Sequence, residues 1–126
     1  MIRSASIQIA NLVKTITGFT NDNVFENEKI PESFIKSQTL PFIYIQSLDE
    51  GDSIYASGKR IGEWVSAQVD VYTASNRDQE RYHNLIEALL SSQGFGCFFI
   101  YRTYQMDTGF KLLQLRFEKY QNLRIG

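Results

Sequence analysis

From Ile61 to Thr73, apolar and polar residues alternate. Val65, Ala67, Val69 and Val71 interleave with Ser66, Gln68, Asp70 and Tyr72. Period two marks a strand with one buried face and one wetter face. Directly afterwards the period becomes helical. Over Asn76–Ser92, the residues Tyr82, Leu85, Ile86, Leu89 and Leu90 form one apolar stripe. Ser75 or Asn76 can cap this helix, and Gly94 can stop it. A half-buried strand that passes its chain straight to an amphipathic helix calls for a sheet with helices on its dry side.

The remaining segments fit that frame. Ser4 to Thr17 repeats Ala5, Ile9, Leu12, Val13 and Ile16 at helical spacing, with Gly18 as the stop. Asn21 to Ser37 is polar and uneven and reads as a loop with a short edge strand at Val24-Phe25. Pro41 to Leu48 is β-branched and aromatic, hence a strand, broken by Asp49-Glu50-Gly51-Asp52. Ser53 to Arg60 reads as a loop or frayed extension punctuated by Gly58 and Gly62. Cys97–Gln105 and Phe110–Tyr120 flank Met106 to Gly109, the spacing of a hairpin with a four-residue loop. The expected fold is α+β in the order α-β-β-α-β-β: a mostly antiparallel sheet of four or five strands with two helices on one face. At 126 residues, the chain is expected to form one such sandwich domain over 1–126.

Composition narrows the function classes. Lys+Arg is 13 against 14 for Asp+Glu, so the basic surplus that drives counterion release from nucleic acid is missing. The signature of RNA-binding sheets is absent as well, with Gly94-Phe95-Gly96-Cys97-Phe98-Phe99 only loosely similar. Specific nucleic-acid binding is therefore not expected. Cys97 is the single cysteine, which excludes a disulfide framework within the chain. The longest apolar run, Cys97 to Tyr101, is too short to span a membrane, and no apolar stretch follows Met1. A soluble, unprocessed protein without membrane contact is expected.

Motifs for chemistry are weak. His83 is the only histidine and sits mid-helix beside the apolar stripe, where a partly exposed structural role is expected. Cys97 leads into Phe98-Phe99-Ile100 and reads as an inert thiol; use as a nucleophile would require a base such as His83. Ser33-Phe34-Ile35-Lys36 matches S-x-x-K without its partner motifs. Asp49, Glu50 and Asp52 could suggest a divalent cation, but the distal Glu of a calcium loop is missing. No enzyme activity, cofactor or metal is expected.

The arrangement as a whole carries a resemblance. The segment VDVYTASNRDQERYHNLIEALLSSQGF joins strand, short polar turn and helix to Gly94-Phe95, and Met106-Asp107-Thr108-Gly109-Phe110 closes the last hairpin. Over residues 5 to 120 the chain resembles the small tail-terminator and head–tail joining proteins of long-tailed, siphovirus-like bacteriophages. The resemblance implies a structural protein of the virion tail or neck, assembled in the host bacterial cytoplasm. It implies a ring, commonly a homo-hexamer, that stops polymerisation of the tail-tube protein and offers a docking surface to a head-completion or connector protein. A head–tail connector or the tube subunit itself are alternatives within that reading. A small nucleic-acid- or protein-binding accessory module is the alternative outside it. The absence of an obvious long hydrophobic hairpin for stacking favours the terminator over the tube subunit.

Two groups of residues are candidates for contact with other copies or partners. Asp49, Glu50, Asp52, Lys59 and Arg60 bring both charge signs into one excursion. Trp64, Tyr101, Arg102, Tyr104 and Arg116 place aromatics and arginines on strands, with Arg102 and Arg116 expected on the same polar face. The chain has 17 aromatics (one Trp, seven Tyr, nine Phe), and those on predicted strands fall on both faces. Helices on one face cannot bury both sets, so the second face is expected to meet a partner.

Overall fold

The structure is a computed structural model and describes residues 4–27, 30–36, 39–48, 53–56, 59–106 and 108–122. Its class is α+β. The described elements are α1 (Ala5–Val13), β1 (Val24–Glu26), α2 (Glu32–Lys36), β2 (Phe42–Ser47), β3 (Ser53–Ala56), β4 (Lys59–Thr73), α3 (Asn76–Ser92), β5 (Gly96–Tyr104) and β6 (Lys111–Asn122). The strands form one sheet in the order β1-β2-β4-β6-β5, with β3 also paired to β4. Only the β1–β2 pair is parallel among these.

Two elements differ from the sequence reading. Ser53–Arg60, read as a loop or frayed extension, contributes β3 and the first residues of β4, paired through Tyr55↔Arg60 and Ala56↔Lys59. The polar stretch before Pro41 contains the extra helix α2. The other elements stand where periodicity put them, the first helix with a shorter span. Ser4 caps α1 by accepting from the Ile7 amide. The helix ends at Val13 rather than Thr17, where the chain tightens into i→i+3 bonds from Thr15 and Ile16. Gly18 follows with φ 107°, a conformation that favours glycine, and a Cβ there would meet the Tyr82 hydroxyl at 2.9 Å.

Ser75 caps α3 through the Asp78 amide, 3.1 Å away. Its other end is a Schellman turn: Phe95 N–H donates to the Leu90 carbonyl, Gly94 N–H to that of Ser91, and Gly94 takes φ 90°. The last hairpin closes as the spacing requires, with Gln105 N–H donating to the Phe110 carbonyl across the loop.

The alternation of β4 decides the layers. Val65, Ala67, Val69 and Val71 face α1 and α3 and join Ile9, Val13, Ile43, Ile45, Ile86, Leu90, Leu113, Leu115 and Phe117 in the main core. Burying each Val, Ile, Leu or Phe among them stabilises the fold by about 1.5–3 kcal/mol. On α3 the buried stripe is Gln79, Tyr82, His83, Ile86 and Leu90, while Leu85 is exposed. A second, smaller core lies on the opposite face. Phe25, Phe42 and Phe110 are buried there, with Phe34 and Ile35 of α2, Ile30, Leu40, Tyr44 and Tyr72 packed on them. The second face is thus partly covered by the chain itself.

Candidate subunit interface

Strand β5 is an edge of the sheet, bonded to β6 alone among the described residues. Edge strands present a row of backbone donors and acceptors to any incoming strand. Soluble proteins usually guard such edges with charge, proline or brevity. β5 has nine residues, Gly96–Tyr104, no proline, and one charged side chain, Arg102. A bulge at Phe98 shifts its register, so that Cys97 opposes Phe117 while Phe99 opposes Arg116. Phe98 (50% exposed), Ile100 (51%) and Tyr101 (52%) all reach solvent. Ile100 lies on the helix side, opposite Leu115; Phe99 and Tyr101 lie on the other. The edge therefore shows apolar surface on both faces.

The open face next to β5 is held by a polar chain. Arg116 Nε donates to Gln68 Oε1 at 2.9 Å, and Gln68 Nε2 donates to Asp70 Oδ1 at 3.0 Å. The Arg116 guanidinium lies 4.5 Å from the centre of the Phe99 ring, and Phe99 stacks on Tyr101 with centroids 6.5 Å apart. Asp70 is only 8% exposed. Burial holds its carboxyl above the ordinary value of 3.8, opposed by hydrogen bonds with Gln68 and Gln114 and by the Arg116 charge. Farther down, Trp64 packs edge-on against Tyr120 at 5.8 Å and remains exposed.

The predicted interface residues are thus split. Trp64, Tyr101 and Arg116 share the open face. Arg102 does not lie with Arg116. It sits on the helix side, opposite Leu113, and donates to His83 Nδ1 at 2.7 Å. The bulge at Phe98 sets this parity, and sequence alternation alone cannot reveal it. Tyr104 is exposed beside Lys111, whose ammonium is 4.6 Å from its ring centre. Lys59 and Arg60 belong to β4, with side chains outside the described residues. Asp49, Glu50 and Asp52 also lie outside the described residues. Sequence reasoning missed the Gln68–Asp70–Gln114–Arg116 chain, because polar residues on a wetter face look merely solvated.

The groups considered for catalysis are engaged elsewhere. His83 is buried rather than partly exposed. It accepts from Arg102 at Nδ1, which leaves the proton on Nε2 to donate to Glu87 Oε1 at 2.8 Å. The Cys97 thiol donates to the Phe99 carbonyl, and burial pushes its pKa up. An activated thiol requires the opposite shift. Among the described residues, no three His, Cys, Asp or Glu side chains are grouped to hold a metal ion, and no helix is long and apolar enough to cross a membrane.

No protein-family model matches the chain, and no curated protein is similar to it in sequence.

Proposed function

We propose that this chain is a structural phage protein of the tail or neck, a tail terminator that forms a ring on the end of the tail tube. The ring stops tube growth and provides the docking surface for the head connector. One observation carries the reading: a nine-residue edge strand, β5, with Phe98, Ile100 and Tyr101 exposed. Such an edge is an aggregation hazard in a monomer and an assembly surface in an oligomer. Head-to-tail contacts that close give a ring, here of six copies. The resemblance in the segment from Val69 to Phe95 points the same way.

The tube-subunit reading gains from one feature. Residues Ser53–Ala56 and Lys59–Glu63 pair as a hairpin, an element that the sequence reading did not include. A tube subunit stacks on itself, whereas a terminator does not. Negative-stain microscopy separates them. Purified protein added to preformed tail tubes is expected to appear as a single terminal ring that blocks further growth. Stacked rings would instead make it a tube subunit. Rings that leave tubes uncapped, or no binding to tubes at all, would overturn the terminator role.

A further inference from the structure

The two sides of the sheet offer very different edges. On one side stands β5, nine residues long. On the other, β1 spans three residues, and Asn27 extends its cover of β2 by accepting from the Ser47 amide. Below that cover the lane continues as β3, which pairs with β4 alone among the described residues. Among the described residues, the outer edges on that side are thus β1, three residues long, and β3, four residues long, and β3 is the longer of the two.

We infer that the β5 edge of one copy is covered by strand β3 of the next copy, as a strand added to the sheet. The inference rests on the ring reading and names its contact. Strand polarity supports it. β5 runs antiparallel to β6, β6 to β4, and β4 to β3, so β5 and β3 run in opposite directions. Copies placed side by side in the same orientation then meet in antiparallel pairing. The heights of the two edges set the stagger. Ile100 is level with Leu115 and Val69, while Ser53 is level with Glu63, six residues lower on β4 and of the same parity. Pairing β5 with β3 thus offsets each copy from the last along the strands. Closed barrels require such a shear, with strands tilted by roughly 35–45°.

Single-cysteine proteins in a Cys97→Ser background test the contact. One carries Ile100→Cys on β5 and the other Ser53→Cys on β3, two positions whose register places them on the helix side of the sheet. The expected result is a disulfide-linked product only when the two are mixed, together with loss of the oligomer in Ile100→Lys while circular dichroism stays unchanged. Rapid self-linking of the Ile100→Cys protein alone would show a two-fold β5–β5 contact and overturn the inference. A persistent ring with no cross-link in the mixture would also overturn it, yet leave the ring reading standing. A wild-type chain that stays monomeric overturns it too, and the ring reading is then judged by tube capping alone.

Discussion

Tyr72 lies flat against Phe42, ring centroids 4.4 Å apart and planes 9° from parallel, on the sheet face opposite α1 and α3. The two residues are direct cross-strand partners on β4 and β2. Phe34 and Phe110 meet Phe42 edge-on, at 5.2 and 6.0 Å. This cluster accounts for part of the aromatic excess within one chain. What stays uncovered is concentrated at β5 and around Trp64, and that remainder argues for assembly.

Phe42 is 2% exposed at the centre of the second core. Phe42→Ala is expected to cost about 3–5 kcal/mol of unfolding free energy. Tyr101→Ser, at an exposed edge position, should stay within about 0.5 kcal/mol for the isolated chain. Urea denaturation of both variants checks the contrast. Equal losses would mean that Tyr101 is part of the core.

Asp70 binds its proton more tightly in the folded chain than in the unfolded one. A raised carboxyl favours the folded state while protonated, and that contribution is lost as pH rises from 3.8 through the folded value. Asp70→Asn is therefore expected to stabilise the chain at neutral pH, with the gain vanishing in acid below the ordinary carboxylate range. Thermal melts across that range measure it. A less stable variant at neutral pH would show that the hydrogen bonds to the carboxylate outweigh its burial.

Burial pushes the Tyr72 phenol up to about 12, helped by the nearby Asp70 charge. Between the ordinary value of 10.0 and about 12, the unfolded chain ionises first, so stability falls as pH rises through that window. Tyr72→Phe should flatten the fall and remove a step near pH 12 from the tyrosinate absorbance titration. An unchanged titration curve would contradict the assignment.

The Cys97 thiol is raised by burial. Alkylation with iodoacetamide near pH 8 should be slow in the folded chain and speed up strongly in urea. Equal rates would place Cys97 in solvent and reopen its reactivity.

The legible parts of this fold are those where a period persists. β4 and α3 each repeat their pattern long enough to mark length, type and buried face. β3 and α2, at four and five residues, are shorter than any reliable repeat. The bulge at Phe98 inserts one residue, which moves Arg102 to the helix side, and nothing in the sequence announces it. The aromatic count did point to a surface in need of cover. It could not show that α2 folds back to cover part of it.

The mass of the purified wild-type chain in solution, by native mass spectrometry, bears most directly on the claim that this chain assembles with itself. The account predicts six times the 14.6 kDa of one chain, falling to a single chain in Ile100→Lys. A single-chain mass for the wild type at every concentration would contradict assembly of the free chain and leave only assembly on the tube end.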